Sequence, residues 1–250
     1  METLVGGNGN DFLTGSEVND VILGNDGNDT LNGLGGNDLL RGGNNNDAMR
    51  GGAGNDTMVG DRGSDLFNGG FGNDRMIWND GDGSDIMRGG AGTDVTEFNG
   101  AVASGDDLVL KADGAKANFQ RLNLVPITLD VDDTELFEID GIGGDDTLNV
   151  KDLTATDVQQ VKFKGGNGND RLDASQTNVK IYADGGNGND TLIGGNNTDT
   201  LDGGEGNDLL RGGGNNDTLS GGNANDTLIG DKGSDLFNGG FGNDRMIWND

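Results

Sequence analysis

GGAGNDTMV, residues 51–59, packs a turn and a strand into nine letters. Glycine reaches φ > 0 without a Cβ clash, so the first half can turn tightly with its carbonyl oxygens pointing inward. Thr57-Met58-Val59 sets one large apolar side chain between two that face the other way, the alternation of a short strand. Asp56 sits where turn meets strand. GGNGNDFLT at 6–14 and GGNGNDTLI at 185–193 repeat the pattern G-G-x-G-x-D-x-U-x, with U a large apolar residue.

The phase is held over long distances. Aspartate recurs every nine residues at Asp11, Asp20, Asp29, Asp38, Asp47, Asp56, Asp65 and Asp74. A step of eleven reaches Asp85 and another nine reaches Asp94. Toward the other end come Asp190, Asp199, Asp208, Asp217, Asp226, Asp235 and Asp244, again nine apart, with Asp170 twenty residues before them. Two residues after each regular aspartate stands the apolar member, from Leu13, Ile22 and Leu31 to Leu228, Phe237 and Met246.

Composition narrows what such a chain can be. Of 250 residues 51 are glycine and one is proline, and 44 acidic against 16 basic side chains leave a formal charge of −28. Ordering each residue costs on the order of 1.5 kcal/mol, and glycine lies at the upper end of the backbone cost. Apolar burial alone is therefore a poor candidate for what holds the chain together. No basic stripe exists to neutralise phosphates, which excludes a nucleic-acid binder. No apolar run approaches the ~18 residues of a transmembrane helix, and the N-terminus lacks the basic and apolar regions of a Sec-type signal peptide. Cysteine and histidine are both absent, which removes disulfides, thiolate sites and the usual zinc ligand. Oxygen is the ligand chemistry that remains.

A Gly/Asn/Asp-rich chain is ordinarily a flexible linker, but disorder has no reason to keep aspartate on a nine-residue lattice. Asn-Gly pairs ordinarily mark hairpins, yet the flanking strands would have only three residues. Two nonapeptides instead make one coil of two strands and two turns, and coils stack about 4.8 Å apart. Aspartates eighteen apart are then neighbours: Asp11, Asp29, Asp47 and Asp65 on one edge, Asp20, Asp38, Asp56 and Asp74 on the other. Stacked carboxylates repel unless a cation lies between them. Calcium suits the position, a hard ion that takes six to eight oxygens in adaptable geometry, whereas magnesium demands a stricter octahedron.

The nonapeptide resembles the RTX, or haemolysin-type, calcium-binding repeat, over roughly 6–97 and 165–247. That resemblance implies an all-β parallel β-roll in which calcium ions sit between successive turns, held by the motif aspartates and turn carbonyls. It assigns the metal role to the lattice aspartates above and to Asp146, in the isolated copy GIGGDDTLN at 141–149. Counting neighbours gives roughly fourteen ions at most, whose charge would cancel the formal −28.

The copies are unequal. The fourth-position glycine is Val18 in 15–23, Asn45 in 42–50, Asn197 in 194–202, Asn215 in 212–220 and Ala224 in 221–229. Valine is the poorest fit to a left-handed turn, so the site near Asp20 is expected to be the weakest. Asp61 and Asp231 replace the second glycine and are read as facing solvent.

The expected organisation is an RTX array over 1–97, a degenerate β-rich segment over 98–164 that continues the solenoid, and a second array over 165–250. The middle segment carries alternating apolar pairs and a degenerate repeat around Asp107. It is read as a structural spacer; the alternative is a recognition module for cell-surface or extracellular polysaccharide, although nothing in the sequence marks a sugar site. Residues 61–80 and 231–250 differ only at Arg62 and Lys232, so a larger unit is itself duplicated. The end at Asp250 is read as truncation of a longer tandem protein. Trp78 and Trp248 are expected to cap the last coil of each array.

By resemblance, the function is that of a secreted calcium-binding module, exported by type I secretion, that folds on meeting calcium outside the cell and serves a structural, adhesive or cell-surface role. The alternative is the non-catalytic repeat portion of a larger secreted RTX enzyme or toxin. The chain has no H-E-x-x-H and no G-x-S-x-G, and no catalysis is expected of it.

Overall fold

The computed structural model describes residues 1–249. Those residues form 26 strands and no helix. Successive strands of the arrays alternate between two sheets, one of 12 strands and one of 14, so the chain winds as a β-solenoid. The pairing is parallel and steps by eighteen: Val21 lies beside Leu39, and Leu39 beside Thr57. In the other sheet Thr30, Ala48 and Leu66 line up in the same way.

The apolar residue of each repeat points into a narrow core between the sheets. Ile22, Leu40, Met58 and Met76 form the row on one side; Leu31, Met49, Phe67 and Met87 form the row on the other, all essentially inaccessible. Fully burying such a side chain contributes about 1.5–3 kcal/mol, and each nonapeptide supplies one.

The strands are longer than the three residues read from the repeat. Thr57–Arg62 and Leu66–Phe71 each run to six. The first glycine of the next repeat stays extended and faces inward, and pairing continues through the second, as Gly52 beside Gly70 shows. The turn proper is only three residues, and it is tight. Gly54 has a φ of +132°, and a Cβ there would run into the Gly36 carbonyl oxygen of the preceding coil. Asn45, Asn215 and Ala224 adopt left-handed φ of 76°, 73° and 81°, whereas Val18 does not. The valine turn instead takes another shape and leaves its side chain exposed.

The middle segment departs from the simple coil. Asp107–Asp113 pairs antiparallel with Lys116–Arg121, which pairs antiparallel with Ile127–Asp132. The first turn, Gly114-Ala115, has φ of +66° at Gly114, as a type II′ hairpin requires. The chain runs one step ahead, to lie beside Thr147–Val150, and then doubles back so that Ile127–Asp132 lands beside Ile86–Ala91. This three-strand wedge stands in one sheet only, which accounts for its two additional strands.

Large side chains fill the wider interior. Trp78 stacks on Phe98 with ring centroids 4.5 Å apart, Phe98 meets Phe119 at 4.8 Å, and Phe119 meets Phe137 at 6.4 Å. Trp78 is therefore no cap, as its position at the array exit had implied. It is fully buried, because the wedge continues the core beyond it. Trp248 does lie on the last coil, with its edge against Phe237 at 4.7 Å, and is largely exposed.

Candidate metal centres

Each lattice aspartate immediately precedes a strand, and its side chain folds back over the turn. The lattice neighbours do meet. The backbone N–H of Asp29 donates to Oδ1 of Asp47 at 2.7 Å, and that of Asp47 to Oδ1 of Asp65 at 2.8 Å. The ladder begins at Asp11 and ends at Asp85. On the opposite edge it runs from Asp20 through Asp38, Asp56 and Asp74 to Asp94. Past the wedge, Asp146, Asp170, Asp190, Asp208, Asp226 and Asp244 form a third. Asp199, Asp217 and Asp235 form a fourth.

One carboxylate oxygen is thus spent on the neighbouring coil, and the other has nothing. Among the described residues, Oδ2 is buried without a hydrogen-bond partner at fourteen of these aspartates, Asp29, Asp47, Asp56, Asp94, Asp146, Asp190 and Asp208 among them. A buried acceptor left unpaired costs about 1–3 kcal/mol, and more when it is charged. A long row of them is the mark of an absent partner. Carbonyl oxygens converge on the same space: a Cβ placed on Gly69 would meet both Asp74 Oδ2 and the Gly89 carbonyl oxygen. The donor set is all oxygen, charged on one side and dipolar on the other, as calcium requires.

Burial also raises the acids. It pushes Asp47 and Asp208 to about 6, Asp65, Asp74 and Asp217 to about 7, and Asp85 to about 8, with the neighbouring carboxylates adding to the effect. Without a cation these carboxyls take up a proton at far higher pH than an ordinary aspartate does.

At three lattice positions Oδ2 is already taken. Oδ2 of Asp11 accepts the N–H of Gly7, Oδ2 of Asp20 accepts both the N–H and the hydroxyl of Ser16, and Oδ2 of Asp199 accepts the N–H of Gly195. Gly7, Ser16 and Gly195 are not left-handed, whereas Gly43, Gly52 and their equivalents are. Their N–H groups therefore turn inward and occupy the oxygen that elsewhere stays free.

The degenerate repeat in the middle uses Asp106, not Asp107. The Asp106 N–H donates to Asp146 Oδ1 at 2.6 Å, while the Asp107 side chain lies on the opposite side of the strand. Asp106 faces a cation the protein supplies itself. The guanidinium of Arg121, fully buried, reaches Asp80 at 2.7 Å and Asp106 at 3.5 Å and lies 4.9 Å over the Trp78 ring. Asp61 and Asp231 pair with Arg41 and Arg211 on the surface.

The repeat's fifth residue also forms a ladder, which the sequence reading passed over. Side-chain oxygens of Asn10, Asn37, Asn55 and Asn189 accept backbone N–H groups one coil on. The signal was visible in the recurrence of Asn before Asp. Nothing in the lattice pointed to the carboxylates of Asp132, Asp133 and Asp157, which gather within 4.8 Å of one another from outside the repeats.

The profile of the RTX calcium-binding nonapeptide repeat (4 copies) matches residues 5–40, 14–49, 41–76, 79–96, 164–187, 182–210 and 211–246. No curated protein matches the chain.

Proposed function

Since this chain belongs to the RTX family of calcium-binding nonapeptide repeats, we propose that it is a secreted structural or adhesive module that folds when it binds calcium outside the cell. The observation that carries the reading is the row of buried, unpartnered Oδ2 atoms along both edges of the solenoid. Bound calcium would supply the positive charge those oxygens lack, held by the ladder aspartates and the turn carbonyls. Each ion would tie one coil to the next, so its binding free energy becomes folding free energy.

Where calcium is scarce, a net charge of −28 keeps the chain expanded, the form in which a type I exporter passes its cargo. Extracellular calcium suits weak sites with Kd of about 10⁻⁴–10⁻³ M. The reading includes no catalysis. For the adhesive role the partner class is cell-surface or extracellular polysaccharide.

The test is the hydrodynamic radius of the full chain, read by size exclusion as free calcium rises from chelator to 10 mM. Compaction is expected at about 0.1–1 mM calcium. Compaction complete below micromolar calcium would contradict folding after export, and a radius independent of calcium would contradict metal-driven folding.

A further inference from the structure

The ladder that starts at Asp20 does not stop at the last repeat of the first array. The N–H of Asp94 donates at 2.8 Å to Oε2 of Glu135, forty-one residues on. In a regular coil that position belongs to an aspartate Oδ1, as Asp74 finds at Asp94. The link carrying Glu135, residues 133–135, is Asp-Thr-Glu and no nonapeptide. It stacks on the Gly89–Asp94 turn because the strands on either side of it pair with the strands flanking that turn.

The cradle continues with it. Asp133 takes a left-handed φ of 50°. Its carbonyl oxygen crowds the space a Cβ on Gly89 would fill, and Asp94 Oδ2 lies 2.6 Å from the same point. In the coil before, the Gly89 carbonyl and Asp74 Oδ2 stand around Gly69 in the same way. Asp94 is fully buried and its Oδ2 is unpartnered. From the same link the Asp133 carboxylate gathers with those of Asp132 and Asp157. Lys116 reaches Asp132 at 3.8 Å, and no ion pair reaches Asp133 or Asp157 among the described residues.

We propose that Asp94, Glu135 and the Asp133 carbonyl form a divalent-cation site of the calcium type at the seam between the first array and the wedge, with the Asp133 and Asp157 carboxylates on its outer side. The proposal rests on the reading of the ladder aspartates as calcium ligands. It adds a site built half from residues outside any repeat. The next position on this edge, Gln159, carries no charge, and the ladder ends there. The ion would clamp the wedge to the array, so the middle segment would share the calcium dependence of the coils.

The test is hydrogen–deuterium exchange on the full chain across a calcium titration, following peptides over 89–96 and 132–137, with 203–212 as a distant control. Glu135→Gln keeps an oxygen to accept the Asp94 N–H and removes only the charge. Asp157→Asn alters an exposed residue outside the ladder, so it tests the site without endangering the fold. Each is expected to raise the calcium midpoint of the seam peptides by about threefold or more, since affinity follows ligand charge, and to leave 203–212 unchanged. Wild-type midpoints at the seam in both variants would overturn the site. Calcium protection in the arrays with none at 132–137 would overturn it while sparing the ladder reading. No calcium response anywhere would overturn both.

Discussion

Replacing Asp47 by alanine takes away two supports that a second substitution can separate. Asp47 is buried in mid-array; its Oδ1 accepts the Asp29 N–H at 2.7 Å and its Oδ2 is unpartnered. Alanine leaves the Asp29 N–H buried without an acceptor, at a cost of about 1–3 kcal/mol. It also removes a ligand from the ions on either side. With calcium at ten times its Kd, each ion contributes about 1.4 kcal/mol, hence about 3 kcal/mol for two. The sum, about 4–6 kcal/mol, rivals the whole stability of a small domain. Asp47→Asn keeps the acceptor and loses only the charge, so its cost should be about 3 kcal/mol. Calcium titrations followed by circular dichroism give the midpoints, with exposed Asp113→Asn as the control. The order expected is Asp47→Ala worst, Asp47→Asn intermediate and Asp113→Asn at wild type. If Asp47→Asn matched wild type, the carboxylate would not be a metal ligand. If Asp113→Asn shifted as far as Asp47→Ala, calcium would be acting by general screening.

Asp11→Ala should raise the calcium midpoint less than Asp47→Ala, because Oδ2 of Asp11 already accepts the Gly7 N–H and its coil has one neighbour fewer; an equal shift would contradict this. Ala224→Gly relieves a left-handed φ of 81° and should stabilise by about 0.5–1 kcal/mol, read as a rise in Tm at fixed calcium, whereas a fall would show the turn unstrained. Gly54→Ala should cost more than about 2 kcal/mol by collision with the Gly36 carbonyl, while Gly9→Ala, with open space around it, should stay within about 0.5 kcal/mol by thermal denaturation. The raised acids set a pH dependence for the metal-free chain. Ladder pKa values near 6–7 against an ordinary 3.8 mean that the coil binds more protons than the unfolded chain across that interval, so metal-free stability falls as pH rises through it. Lowering the pH from 7.5 to 5.0 in chelator should therefore increase the β signal, and no increase would contradict the burial of these groups.

The array was legible because its arithmetic is short. A nine-residue lattice and an eighteen-residue coil place Asp29 beside Asp47 without further information, and the structure pairs them through Oδ1. The wedge was not legible to that extent. Its alternating residues announced strands, but no periodicity says that Asp107–Asp113 runs ahead and Ile127–Asp132 returns to the strand behind. That order depends on contacts distant in sequence, and with it went the burial of Trp78. The same blindness hid Glu135, whose ladder role follows from stacking and from no motif. The choice of Asp106 over Asp107 turns on a one-residue register, which reverses the face of a strand.

The central claim is that calcium, and not apolar burial, holds the coils together. Far-UV circular dichroism of the full chain at pH 7.5 tests it most directly, in excess chelator, in chelator with sodium chloride to matched ionic strength, and in 5 mM free calcium. The arrays should be largely without β signal in the first two and gain it in the third. A complete β signal in excess chelator, unchanged by calcium, would contradict the account.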